Sequence, residues 1–247
     1  MRLKDKVALV TGAASGFGEG IARRFAEEGA SVLVADIAED KGRDVAASIP
    51  RARFHAADVS RADHVRAMVW AALEAFGGLD ILVNNAGATH RNQSLLEVDE
   101  ATFDRIYAVN VKSIYLTALA CVPIMRQQGG GAILNMASTA GGRPRPGLTW
   151  YNGTKGAAIT LTRSMAVELA PERIRVNAIN PVIGETGLTA AFMGGDSPEL
   201  RKKFVASIPL GRMSRPLDVA NAALFLCSAE AEFLTGVCLD VDGGRSV

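Results

Sequence analysis

Short apolar runs alternate along the chain with stretches in which apolar side chains recur at helical spacing. Val7–Val10, Ser31–Ala35, Arg53–Ala57, Ile81–Val83, Ala132–Asn135, Ile174–Ala178 and Val237–Asp240 read as strands. Between them the pattern predicts helices over Gly16–Glu28, Glu39–Ser48, Ala62–Phe76, Glu100–Gln127 and Tyr151–Leu169, and near 197–207 and 216–228. Strands that are apolar throughout, separated by helices, imply a parallel sheet covered on both faces. The expected fold is therefore α/β: a doubly wound parallel sheet of about seven strands with helices on both faces. No linker, low-complexity tract or repeat beyond the β–α alternation interrupts it, so residues 1–247 read as a single domain. Gly194–Pro198 is the best candidate for a mobile insertion, either a lid or a plain surface loop.

Composition narrows the classes. With 49% hydrophobic residues the chain can bury a sizeable core unaided. A net charge of +1 gives no strong field for nucleic acid or an anionic membrane, so neither is expected as a partner. Cys121, Cys227 and Cys238 are odd in number and far apart, which fits reduced thiols in a cytoplasmic protein. Met1–Lys6 is short and charged and does not read as a signal peptide, and no apolar run reads as a membrane span. His55 and His64 lie on a predicted strand and helix; no spacing of His, Cys or carboxylates suggests a metal site.

The first strand ends in Thr11-Gly12-Ala13-Ala14-Ser15-Gly16-Phe17-Gly18. Glycines there let the backbone approach a pyrophosphate, and the helix that follows offers free N–H groups with its positive dipole end. The spacing differs from the usual dinucleotide fingerprint, but its place between a buried strand and a helix makes Gly12, Ser15, Gly16, Phe17 and Gly18 candidate phosphate contacts. They mark the sheet as Rossmann-type. Asp36 ends the second strand, where a carboxylate accepts both hydroxyls of an adenosine ribose and repels a 2′-phosphate. Neither Ser15 nor Ile37 is basic, so NAD is favoured over NADP, with Ile37 against the adenosine; Asp36 also reads as a cap for the next helix. Asp58-Val59 and Asn84-Asn85-Ala86-Gly87 follow the third and fourth strands, at the edge where such sheets bind ligands. Asp58 and Val59 are candidates for adenine, with helix capping as the alternative for Asp58. Asn84, Ala86 and Gly87 are candidates to border the ribose.

Tyr151 and Lys155 share a helix face. An ammonium near a phenol favours the phenolate, and about 4 kcal/mol at 4 Å and an effective dielectric of 20 would bring a phenol towards neutrality. A base poised there suits alcohol oxidation. Ser138 ends the fifth strand and offers a hydroxyl to a substrate oxygen, and Asn110 in the long helix offers an anchor for a water reaching Lys155.

Taken together, the Thr11–Gly18 turn, Asn84-Asn-Ala-Gly87, Asn110, Ser138 and Tyr151-x-x-x-Lys155 stand in order and spacing, and the chain resembles the short-chain dehydrogenases/reductases over essentially its whole length. The resemblance implies a catalytic tetrad of Asn110, Ser138, Tyr151 and Lys155. In it Tyr151 is the acid/base, Ser138 orients the substrate oxygen, Lys155 holds the nicotinamide ribose and activates the tyrosine, and Asn110 anchors a proton-relay water. It also implies a carboxamide contact from Thr186, with Pro181 and Ile183 beside it, and a homotetramer packed through the helices at Glu100–Gln127 and Tyr151–Leu169. The chain departs from the family pattern at Val182, where a glycine is usual, and at Ser113, where a glycine often follows the asparagine. A β-carbon at Val182 is expected to crowd the nicotinamide or the substrate mouth.

The function these features predict is NAD-dependent hydride transfer between a secondary alcohol and its ketone. The substrate reads as a small molecule such as a sugar, diol or hydroxy acid. The loops at 88–95, 139–148 and 184–196 carry His90, Arg91, Arg143 and Arg145, which suit an anionic substrate or, equally, solvent and subunit contacts. Two other readings stand beside it: a 3-oxoacyl thioester reductase, and a non-catalytic NAD-binding sensor or scaffold on the same fold.

Overall fold

The computed structural model describes residues 1–185, 187 and 189–247. Seven strands, β1 (Val7–Thr11), β2 (Ser31–Asp36), β3 (Ala52–Ala56), β4 (Ile81–Asn84), β5 (Gly131–Met136), β6 (Ile174–Pro181) and β7 (Cys238–Val241), form one parallel sheet in the order β3-β2-β1-β4-β5-β6-β7. The order reverses between β1 and β4, and the crevice beyond the C-terminal ends of those two strands is where an open α/β sheet takes a ligand.

The period-two alternation of the strands sorts the core into two layers. Ala8 and Val10 of β1 face a layer that also buries Ile21 and Phe25 of α1 (Gly16–Glu27), Val45 and Ala46 of α2 (Glu39–Ala47) and Val219, Ala223 and Leu224 of α10 (Pro216–Cys227). Leu9 and Leu33 face the other. There Val65, Met68 and Ala72 of α3 (Ala62–Phe76), Cys121 and Met125 of α5 (Ser113–Gln127), and Ala166 and Leu169 of α7 (Thr149–Leu169) are buried.

The long helix expected over Glu100–Gln127 is present but interrupted. α4 (Glu100–Tyr107) passes through a π-turn at Ala108–Lys112 into α5. By length and composition alone this helix is apolar enough to cross a bilayer, with mean hydropathy 1.5. Part of that apolar surface lies against the sheet, where Ile114, Leu116, Cys121 and Met125 are buried. Two short helices, α6 (Thr139–Gly142) and α8 (Thr189–Met193), were not expected; α9 (Pro198–Ala206) was. β6 runs to Pro181, three residues past the predicted end, because Ala178–Pro181 pair with β7.

Candidate active site

The glycine-rich turn is closed by its neighbours. Gly12 and Gly16 adopt φ of +63° and +59°, which favour glycine. A β-carbon on Gly18 would stand 2.2 Å from the Gly12 carbonyl oxygen, so this glycine serves the packing of α1 onto β1. The Thr11 hydroxyl accepts the amides of Asn85 and Ala86 at 3.0 and 3.1 Å, and Asn85 Nδ2 donates to the Thr11 and Gly12 carbonyls at 2.8 and 3.0 Å. The loop after β4 is thereby clamped to the turn after β1. Ser15 precedes α1 in extended conformation with no side chain capping the helix, which leaves the first-turn amides aimed at the crevice mouth.

Asp36 ties the end of β2 to the same turn. Its Oδ2 accepts the Ala14 amide and its Oδ1 the Ala38 amide, both at 2.9 Å, with lone pairs left for a diol. Asp58 Oδ1 accepts the Ser60 hydroxyl at 2.7 Å and the Ser60 amide at 2.9 Å. Burial pushes the Asp58 carboxyl up, but Ser60, His64 and Arg61 together hold it below the usual range. Arg61, not Asp58, occupies the N-cap of α3, so the capping alternative for Asp58 does not hold.

The two adjacent asparagines after β4 part company. Asn85 faces the crevice. Asn84 turns into the sheet, where its Nδ2 donates to Asn135 Oδ1 and its Oδ1 accepts the Thr117 hydroxyl, both at 2.9 Å; Asn135 in turn donates to the Thr162 hydroxyl at 2.9 Å. The expectation that Asn84 borders the ribose is therefore corrected: its side chain is spent on Asn135 and Thr117 beneath the crevice, and Asn85 lines the wall instead. Side chains alternate at a strand end, and the pattern alone does not say which of two neighbours faces out.

Tyr151 and Lys155 sit in the first turns of α7, only 6% and 5% exposed. Ser138 is the N-cap of α6; its hydroxyl accepts the Ala140 amide at 3.1 Å and stands close enough to the Tyr151 phenol to favour its ionised form. A β-carbon on Gly141 would lie 2.8 Å from the Lys155 carbonyl, so α6 presses backbone to backbone on α7 and fixes Ser138 against Tyr151. Lys155 Nζ donates to the Met136 carbonyl at 2.7 Å and stands 5.7 Å from the Tyr151 ring centroid. Burial pushes the phenol up to about 12, opposed by Ser138 and the Arg145 guanidinium, and pushes Lys155 down to about 8. The expected lysine-driven approach of the phenol to neutrality is thus corrected: desolvation outweighs it, and the nearby cation that counts is Arg145.

Asn110 lies in the π-turn, a feature found often at functional sites. Its Oδ1 accepts the Ala88 amide at 2.8 Å, and its Nδ2 donates to the Ala88 carbonyl and the Thr154 hydroxyl at 2.8 and 2.9 Å. The Ser113 hydroxyl donates to the Val109 carbonyl at 2.6 Å, so the serine that departs from the family pattern satisfies a carbonyl beside the π-turn.

A cavity of about 670 Å³ joins these groups. It runs from Asp36, Ile37, Asp58 and Val59, past Gly12, Ser15, Gly16, Phe17, Ala86 and Gly87, to Ser138, Tyr151 and Lys155, with Pro181 and Ile183 along one wall. Gly18, Asn84 and Asn110 stand behind the wall, and Thr186 lies outside the described residues. Beyond Tyr151 the wall continues through Arg145, Leu148, Val182 and Phe192, and Phe192 meets the Tyr151 ring edge-on at 5.0 Å. The sequence marked the loops carrying Leu148 and Phe192 as variable but did not single these two residues out. Val182 is buried and lines the wall at this end.

A family model described as enoyl-(acyl carrier protein) reductase matches residues 12–246. The chain is 53% identical to a 4-formylbenzenesulfonate dehydrogenase of Comamonas testosteroni, over 100% of both chains. It is 40% identical to a 2,5-dichloro-2,5-cyclohexadiene-1,4-diol dehydrogenase of Sphingobium indicum, over 100% of this chain and 98% of that one. A 3-ketoacyl-(acyl-carrier-protein) reductase from Brucella melitensis, solved with NADH, superposes with a TM-score of 0.95 at 50% identity and covers 99% of this chain and 100% of its own.

Proposed function

The chain belongs to the short-chain dehydrogenase/reductase family of oxidoreductases acting on alcohol- and ketone-type substrates, and we propose that it uses NAD(H) to interconvert a secondary alcohol and its ketone, with Tyr151 as acid/base. The observation that carries this reading is that Tyr151, Ser138 and the buried Lys155 line one wall of a crevice that runs to Asp36. The crevice fits a dinucleotide: an uncapped helix N-terminus stands over a turn too tight for side chains, and a carboxylate follows at the ribose end. In this reading the amides of Ser15, Gly16 and Phe17 receive the pyrophosphate. Asp36 takes the adenosine ribose hydroxyls and disfavours a 2′-phosphate, while Ile37, Asp58 and Val59 flank the adenine. Asn85, Ala86 and Gly87 border the middle of the cofactor, with Pro181 and Ile183 opposite. NADH in the Brucella relative supports the same choice.

When bound, the nicotinamide supplies the carbon that accepts or returns the hydride. In oxidation Tyr151 Oη takes the substrate hydroxyl proton, and in reduction it gives the proton back to the carbonyl oxygen. Ser138 holds that oxygen within reach of the phenol. Lys155, which donates to the Met136 carbonyl, would swing to hold the nicotinamide ribose and so bring its charge nearer the phenol. Both amide atoms of Asn110 are engaged by Ala88 and Thr154, so its part is to hold the loop after β4 at Ala88 against α7 and leave its backbone carbonyl as the water anchor. Leu148, Val182 and Phe192 exclude water from the reacting end. We further propose that residues 1–247 act as one domain, in the cytoplasm, in a homotetramer. Sugars, diols and hydroxy acids are the first substrates to try, and the Comamonas relative adds benzylic carbonyl compounds.

A Tyr151→Phe variant is expected to lose about 10²- to 10⁴-fold in kcat while keeping its NADH affinity. Full turnover in that variant would reject the assignment. The 3-oxoacyl reductase reading is favoured by the Brucella relative, and turnover of acetoacetyl thioesters in preference to simple ketones would establish it.

A further inference from the structure

We infer that Arg145 recognises a carboxylate or sulfonate on the substrate, so that the enzyme acts on an anionic alcohol or ketone with an apolar body. The inference rests on the oxidoreductase reading above and names its substrate class. Five arginines gather near the substrate end of the molecule, and the structure separates them: Arg245 does not line the crevice and donates to the Ser207 hydroxyl at 3.0 Å. Arg91 does not line the crevice. Arg143 is exposed and donates to the Arg245 carbonyl. Arg105 reaches the wall, but it is exposed and donates to the Thr89 carbonyl at 3.1 Å. Arg145 lines the crevice, is partly buried, and pulls on the Tyr151 phenol through its charge.

Its backbone is held in place. The Arg145 carbonyl accepts Asn152 Nδ2 at 2.8 Å, the neighbouring Pro146 carbonyl accepts Asn92 Nδ2 at 3.1 Å, and the Gly147 carbonyl accepts the Gln93 amide at 3.0 Å. The guanidinium stacks on the Phe204 ring of α9 at 4.1 Å, which leaves its N–H edge for a planar oxyanion. No carboxylate compensates it among the described residues. The charges it feels are those of Arg245 and Tyr151, and burial pushes its pKa down to about 10. A desolvated cation without a counter-ion, beside the acid/base of a cavity, is compensated by an anion arriving with the substrate. Leu148, Val182 and Phe192 line the wall around it, so the body that carries the anion is apolar. One guanidinium suits a monoanion, which points to carboxylate or sulfonate.

The test compares 4-(1-hydroxyethyl)benzoate, 4-(1-hydroxyethyl)benzenesulfonate and neutral 1-phenylethanol in the wild type, Arg145→Met and Arg145→Lys. It adds calorimetric titration of the NADH-loaded protein with benzoate and with benzenesulfonate. The wild type is expected to prefer the charged alcohols. Arg145→Met should lose about 10- to 100-fold more kcat/KM on them than on 1-phenylethanol, mainly through KM, with part recovered in Arg145→Lys. Whichever acid suffers the larger loss names the group. Equal losses on charged and neutral alcohols would overturn the inference and reduce Arg145 to a prop for α9. Turnover of 1-phenylethanol with no effect of Arg145 on the anions would also overturn it while leaving the oxidoreductase reading intact. Arg145-dependent binding of benzoate or benzenesulfonate without turnover of any alcohol would uphold the inference and reject that reading.

Discussion

Tyr151 and Lys155, four residues apart on α7, are driven by burial in opposite pH directions: the phenol up to about 12 and the ammonium down to about 8. Burial of Lys155 has a thermodynamic signature. Between pH 8 and 10 the unfolded lysine keeps its proton while the folded one releases it, so stability rises with pH across that window. It is lost again as pH falls through 8. The gap from 10.5 to about 8 corresponds to roughly 3 kcal/mol. Tyr151 opposes the trend only above pH 10, where the unfolded phenol ionises first. Urea denaturation is therefore expected to show wild-type stability gaining on that of Lys155→Met from pH 8 to 10, while the Cys121 and Cys227 thiols, pushed by burial up to about 12, pull both proteins down alike above pH 9. Equal slopes would show that the lysine is not desolvated. That Ser138, Tyr151 and Lys155 meet on one wall was legible from the joint match to the family pattern and not from any one spacing, while Asn110 stands behind that wall. The balance between ammonium and desolvation was not, because spacing conveys proximity and says nothing of the surrounding dielectric. The same limit hid Arg145 among its neighbours, since only the fold distinguishes a cation on a cavity wall from one bonded to a carbonyl or turned to solvent.

The helices and strands were legible to within a few residues, and α3 begins and ends where the periodicity put it. The π-turn at Ala108–Lys112 was not, since one extra residue in a helical turn leaves the apolar recurrence on either side intact. Nor was the buried chain of hydrogen bonds from Thr117 through Asn84 and Asn135 to Thr162, which ties α5, β4, β5 and α7 together beneath the crevice. Breaking it strands polar groups in the core. Asn84→Ala is expected to cost about 2 kcal/mol, because Asn135 Oδ1 loses its donor in the core, while the Thr117 hydroxyl keeps the Ser113 and Ile114 carbonyls. The loss should appear in thermal melts of the variant rather than in its NADH dissociation constant. A variant that melts like the wild type but binds NADH poorly would return Asn84 to the cofactor.

Across the whole molecule, the doubly wound order and the site at its reversal followed from the β–α alternation, but the outer surface did not. Tyr115 and Leu119 on α5 and Val167 on α7 remain exposed, on the two helices proposed to join subunits. Light scattering is expected to give about four times 26.0 kDa for the wild type, and a lower mass for Tyr115→Glu combined with Leu119→Glu. A wild-type monomer would reject the tetramer. The outermost helix has a further significance. α9 contributes no buried residue and is pinned to the body through the contact of Phe204 with Arg145. Selection can therefore rewrite residues 198–206 nearly free of thermodynamic consequence, and chimaeras that exchange this stretch between paralogues should inherit new tastes without having to relearn how to fold.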